Sequence, residues 1–322
     1  MITATGDLAQ FLAMRRANTQ VSTQFETAAA TVAEGKIQDL RSALQADFRP
    51  LNAVQNTLTK MSAYQEASTQ AAFFLGQQQS ILGAISDIAT TLSQDLVAAE
   101  EADATATLDT VSASARSAFG QTVAALNGAA GGRYLFSGAA VGQAPLASAA
   151  EMLDTLSTEI AGMSHSDAAA HIKAFFVDDA GGYAMSYGGT DSDLVSFTVA
   201  DQQKVEANVT AMSAPLREAL AAMATGALVS GPNQAVSAGT DLLSAAQGIA
   251  SERGTLGIAE ERVESLQTRN SSIATSMELR LTELTSPDMY EAASELEQYE
   301  QALERLYLVT SRMSALNFAE FM

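Results

Sequence analysis

Cysteine and tryptophan are both absent from this chain of 322 residues. Without cysteine, disulfide frameworks, thiolate nucleophiles and most zinc sites are excluded together, while the redox compartment stays open. Aromatic residues make up only 6%, with 5 prolines and 2 histidines. Positive charge is scarce as well: 17 basic against 37 acidic residues give a formal net charge of -20. That balance repels phosphate backbones and anionic lipid, so nucleic-acid binding is disfavoured. Nowhere do about 18 consecutive apolar residues occur, and no bilayer-spanning segment is expected. The first twenty residues, MITATGDLAQFLAMRRANTQ, lack a secretory apolar core and place their arginines after the apolar residues, so a cleaved signal peptide is not expected.

What is present is alanine, serine, threonine, glutamine and leucine in helical rhythm. Phe11, Met14, Asn18, Val21, Phe25, Ala28 and Val32 are spaced alternately by three and four, the pattern of a helix packing along a seam. Gly35 and the Asp47–Pro50 stretch mark a break, and the seam restarts at Leu51, Val54, Leu58 and Met61 towards Gly128. Near the other end Leu256, Ala259, Val263, Leu266, Asn270, Ile273, Met277 and Leu284 obey the same rule, with Arg280 as the charged exception. Ser286 reads as an N-cap and Pro287 as the first residue of a last helix, whose seam is Met289, Ala292, Leu296, Tyr299, Leu303, Leu306 and Met313.

Between 139 and 231 the texture changes. Short helical stretches near 146–163 and 166–174 precede Gly-Gly punctuation, and Val195, Phe197 and Val199 alternate with polar neighbours as in a strand. The expected fold is mainly α: a long antiparallel helical rod or coiled coil formed by the N- and C-terminal segments, with a small α+β domain inserted between them. The expected domains are terminal coiled-coil helices at 1–45 and 286–322, a helical rod at 46–138 and 232–285, and an outward-facing insert at 139–231.

No constellation of catalytic residues emerges. His165 and His171 are six apart, whereas a ligand pair on one helix face needs three or four, so both read as surface residues. Glu100, Glu101 and Asp103, like Asp178 and Asp179, read as solvated carboxylates. The stretch TDSD at 190–193 lacks the glycine and terminal glutamate of a calcium loop and reads as a turn. Gly128, Gly131 and Gly132 are followed by Arg133, Tyr134, Leu135 and Phe136 rather than by a Lys-Ser or Lys-Thr pair, which excludes a phosphate loop. The mechanical reading is a hinge: glycines end the long helix, Tyr134, Leu135 and Phe136 anchor the turning chain, and Gly138 releases it. Asn18 and Asn270 occupy seam positions, where asparagine is either a tolerated polar residue or a specifier of register. No cofactor or metal is expected, and no enzymatic activity.

The run Gly132-Arg133-Tyr134-Leu135-Phe136-Ser137-Gly138 resembles the Asn-Gly-Arg-Tyr-Leu-Phe-Ser-Gly signature of the bacterial flagellin superfamily, with Gly131 where asparagine is usual. The C-terminal DMYEAASELEQYEQALERLYLVTSRMSALNF is similar to that family's last helix, and AEGKIQDL at 33–40 resembles the element after its first, with Glu34 in place of serine. The likeness spans roughly the first 140 and last 70 residues. It is greatest to the hook-associated members at the hook-filament junction, with flagellin, the filament subunit, as the alternative.

The resemblance implies a structural axial protein outside the cell on the flagellum, exported without a cleaved signal peptide. The partners it implies are copies of itself in a ring, a hook-side junction protein, flagellin, an export chaperone and the type III export apparatus, with no nucleic acid and no membrane insertion. It assigns the terminal seam (Phe11, Met14, Asn18, Val21, Phe25, Val263, Leu266, Asn270, Ile273, Leu296, Tyr299, Leu303 and Leu306) to assembly. A chemoreceptor-type signalling hairpin is a remote alternative; it needs an uninterrupted return at a sharp tip.

Overall fold

The computed structural model describes residues 3–99, 105–191, 194–229 and 231–319. Their order is α1 (Thr3–Glu34), α2 (Leu40–Ala43), α3 (Arg49–Ala98), α4 (Thr105–Leu126), β1 (Ala129–Ala130), β2 (Arg133–Tyr134), α5 (Ala149–Glu159), α6 (His165–Val177), α7 (Gly182–Ser186), β3 (Val195–Ala200), β4 (Gln203–Ala207), α8 (Ala214–Leu228), α9 (Pro232–Thr285) and α10 (Met289–Ala319). The protein is mainly α, with long helices and two small antiparallel sheets, β1-β2 and β3-β4. Glu100, Glu101 and Asp103, with Ser192 and Asp193 of TDSD, lie outside the described residues, as does the Met313 side chain.

Local sequence explains most helix ends. Asp47 Oδ1 accepts from Arg49 N at 3.1 Å at the start of α3. Ser148 and Glu151 form a reciprocal capping box on α5, and Ser164 accepts from Asp167 N on α6. The expected cap of the last helix is corrected: α9 runs to Thr285, and Asp288, not Ser286, accepts from Tyr290 N at 2.9 Å and Glu291 N at 3.3 Å. Asp288 stands directly before the first residue of α10, where its carboxylate meets two orphan N–H groups, and Pro287 falls in the joint.

The chain divides into two compact units, Met1–Lys60 with Ser272–Met322, and Met61–Ser271. In the first, α1 and α10 pair antiparallel: Thr310 Oγ1 lies 3.8 Å from Met14 Sδ, and Ile37 N donates to Thr285 O at 2.8 Å. Ala28 and Ala292 are buried between them, as short side chains allow close approach, while Met14, Asn18, Val21, Phe25, Leu296, Tyr299, Leu303 and Leu306 are half-buried. Phe11 is an exception to the expected seam, 62% exposed at the thin end of the pair.

The second unit holds a continuous apolar core. One face of α3 (Phe74, Leu75, Leu82, Ile85, Leu92 and Leu96) and one of α4 (Val111, Phe119, Val123 and Leu126) pack with Phe176, Tyr183, Phe197 and the whole of α8. Ser93 Oγ donates to Gly239 O at 2.7 Å, tying α3 to the antiparallel α9. The segment 139–231 therefore shares its interior with the long helices and does not form a third unit. Its α8 packs on α4 and α6, and ring contacts join the layers: Phe119 to Phe176 at 5.9 Å, Phe74 to Phe197 at 5.8 Å. The physical reason is that α8 is apolar on nearly every side, which only burial from several directions can satisfy.

Candidate functional site

The glycine-bracketed run opens with a tight hairpin. Ala129 pairs with Tyr134 and Ala130 with Arg133, so Gly131 and Gly132 are the two turn residues, with φ of +59° and +78°. Positive φ at both positions is the geometry of a two-residue turn whose twist matches its strands, and glycine takes it without a Cβ clash. After β2, Leu135 and Phe136 are buried in the core, each contributing on the order of 1.5–3 kcal/mol of apolar burial. Gly138, at φ +61°, then turns the chain.

Three consecutive carbonyls of this run, those of Leu135, Phe136 and Ser137, accept from distant segments. Gln78, fully buried on α3, donates through Nε2 to Leu135 O at 2.7 Å and Val209 O at 3.0 Å, clasping the exit of the hairpin and the segment after β4 to one helix. Phe136 O accepts from Ala211 N at 2.9 Å and from Tyr187 Oη at 3.0 Å. Ser137 O accepts from Thr190 N at 2.9 Å. Asn127 exchanges two hydrogen bonds with the Leu146 backbone, at 3.0 and 2.9 Å. The Arg133 guanidinium lies 5.7 Å from the Phe74 ring centroid and 5.8 Å from that of Phe197, a cation–π cap over an aromatic pair joining α3 to β3. Burial pushes the Tyr187 hydroxyl up to about 12 and Tyr183 higher still, so both remain neutral donors near neutral pH.

Of the residues assigned to the seam, Val263, Leu266 and Asn270 are interior residues of the second unit. Asn270 Nδ2 donates to Val199 O at 2.7 Å, so its partner is the β3 backbone and not another helix. Ile273 falls in the first unit and is half-buried. Gln78, Tyr183, Tyr187 and Arg217 were not singled out from sequence. Arg217, 10% exposed at its side chain, donates from Nε to Phe176 O at 2.7 Å and from Nη2 to Val177 O, closing the C-terminus of α6; the fully exposed Asp179 carboxylate stands 3.4 Å away.

On the first unit, a groove of about 1210 Å³ runs along α1, with the buried Ala28 and Ala292 in its lining. Thr19, Thr23, Thr27 and Thr31 line it, each hydroxyl donating to the carbonyl four residues earlier at 2.8–3.0 Å. Those hydroxyls are engaged with their own helix, which leaves γ-methyls on the groove wall. His171 Nε2 meets Glu159 Oε2 at 2.9 Å on the surface. Among the described residues no three His, Asp or Glu side chains gather as metal ligands do, and no helix is long and apolar enough to cross a membrane.

No protein-family model matches the chain, and no curated protein matches it in sequence. Among solved structures, one from Vibrio parahaemolyticus, described as a flagellar hook-associated protein, aligns with 72% of this chain and 97% of its own at 14% identity and a TM-score of 0.43. At that depth the likeness carries no functional argument.

Proposed function

We propose that this protein is a non-catalytic structural subunit of the bacterial flagellum, of the hook-associated kind that joins hook to filament. The observation that carries the reading is the pairing of the first helix with the last. Residues nearly 300 positions apart in sequence form a two-helix coil, and along it Phe11, Leu12, Tyr307 and Leu308 are uncovered. Apolar residues left bare on a thin helical pair gain burial only from neighbours, as assembly would supply. The GGRYLFSG run supports the same reading, since it secures the intervening segment to the helices that carry it.

In this role the chain is exported to the flagellum without a cleaved signal peptide, through a type III apparatus with a chaperone. Copies of itself form a ring between a hook-side junction protein and flagellin, the head-to-tail contact that builds rings and helical assemblies. Immunogold electron microscopy of flagella from the source cell, with antibody against residues 142–230, tests the proposal. Gold in a narrow band at the hook-filament joint is the expected result. Gold along the whole filament would make the chain a flagellin, and flagella without gold would overturn the flagellar role.

A further inference from the structure

We infer that the Asn127-Gly128 peptide is a site of spontaneous deamidation that the native fold holds shut, so that the modification accumulates on the unfolded chain and then impairs its refolding. The structure requires both residues of this labile dipeptide, and it ties down the attacking nitrogen and the leaving one. The chemistry is independent of the flagellar role proposed above.

Asn127 is the only asparagine of the chain followed by glycine; the others precede residues that carry a Cβ. Glycine has no Cβ to shield its backbone nitrogen and turns freely about φ and ψ, so in an open chain that nitrogen reaches the preceding side-chain carbonyl with least hindrance. In the reaction Gly128 N gives up its proton to solvent and bonds to Asn127 Cγ, the Cγ–Nδ2 bond breaks, and Nδ2 takes up a proton and leaves as ammonia. Water then opens the cyclic imide at one carbonyl or the other, leaving aspartate or isoaspartate.

The packing accounts for both residues. Asn127 follows the last turn of α4, and its amide grips the buried Leu146: Nδ2 donates to Leu146 O at 3.0 Å and Oδ1 accepts from Leu146 N at 2.9 Å. An aspartate carboxylate only accepts, so it cannot make the first of these bonds. Gly128 leads into β1, where a Cβ would stand 2.8 Å from Ala125 O and 3.3 Å from Ile81 Cδ1.

The same contacts block the reaction. Gly128 N, the attacking nitrogen, donates to Ala125 O at 2.9 Å, while the leaving Nδ2 is held by Leu146 O. Asn127 N donates to Val123 O at 3.0 Å and Leu135 N to Gly128 O at 3.2 Å, which fixes the backbone on both sides of the labile bond. Bringing Gly128 N onto Cγ requires the amide to swing off Leu146 and the peptide to leave Ala125, so the end of α4 and the start of the β1-β2 hairpin must open first. Either product sets a carboxylate against Leu146 O and leaves that acceptor without its donor. Isoaspartate also lengthens the backbone by one carbon, which displaces Gly128 O from Leu135 N.

The test holds the full-length protein at one mildly alkaline pH, in buffer and in urea above its unfolding midpoint. The tryptic peptide between Arg116 and Arg133 carries the site; mass spectrometry reads the exchange of amide for acid, and isoaspartyl methyltransferase labelling reads isoaspartate. In urea Asn127 is expected to convert ahead of every other asparagine, and in buffer at least about tenfold more slowly, because the reaction then waits on opening. Gly128→Ala slows the conversion in urea, where its Cβ shields the nitrogen. After dilution from urea, converted chains are expected to refold with a lower urea midpoint than unconverted chains from the same sample. Asn127→Asp, which supplies the carboxylate without the extra carbon, lowers the midpoint at unchanged slope. Comparable rates in urea and buffer, earlier conversion at another asparagine, or converted chains with the midpoint of the unmodified protein overturns the inference.

Discussion

Gln78 shows how much one side chain holds. It is buried among apolar neighbours, yet it satisfies the carbonyls of Leu135 and Val209, which leave and re-enter the helical body 74 positions apart. Gln78→Ala strands two buried acceptors and should lower stability by about 2–4 kcal/mol, read as a smaller urea midpoint at unchanged slope. Glu252 offers a pH test. Its carboxyl, half-buried beside the Ser213 hydroxyl at 3.0 Å, is pushed above the ordinary carboxylate range by desolvation, with the serine hydrogen bond opposing. A raised folded-state pKa means that the native form binds the proton more tightly, so the stabilisation is complete below the unfolded value and disappears as pH rises through the folded one. Glu252→Gln should therefore raise the melting temperature at neutral pH and flatten its dependence on pH just above the usual carboxylate range. Neither residue was legible in the sequence, because a glutamine or glutamate in a polar helical rhythm looks solvated. Asn270 was legible only by half: its spacing points it inward, but nothing in a heptad says that it will face the Val199 carbonyl.

At the scale of elements, the helical periods and the chain breaks were readable, and the caps and the buried helix were not. The Gly131–Gly132 pair announces a backbone that other residues resist. Replacing both with alanine should cost about 2–4 kcal/mol, whereas Gly131→Asn should be nearly neutral because asparagine tolerates the left-handed region; calorimetry of the two variants checks this. The outcome that would count against the turn assignment is equal loss for both. Helix α8, AAMATG at its centre, is buried along nearly all of its second half and so carries little amphipathic period to be read there. Its tight seat is visible at Gly226, where a Cβ would stand 3.1 Å from Leu96 and 3.2 Å from Ala115.

For the whole molecule, the decisive fact is which segments share a core. Deleting residues 142–230 behind a short glycine-serine bridge would strip Phe119, Leu126 and Leu96 of their partners, so the product should lose the cooperative transition of the second unit rather than survive as a bare helical body. Removal of residues 1–34 takes nothing from that core, and the same transition should persist within a few degrees. Thermal unfolding followed by circular dichroism distinguishes the two cases; a folded first product would refute the shared interior.

The long terminal helices, their breaks near Gly35 and Pro287, the β3 alternation and the absence of thiol chemistry were legible in one dimension, because periodicity, chain-breaking residues and composition act over a few residues. That the insert joins the core of the long helices, that GGRYLFSG opens with a clamped hairpin, and that the inward-facing Asn270 meets the Val199 carbonyl came from the packing alone. Those outcomes depend on which surfaces meet across tens to hundreds of residues, and a one-dimensional pattern records that a face is apolar without recording what covers it.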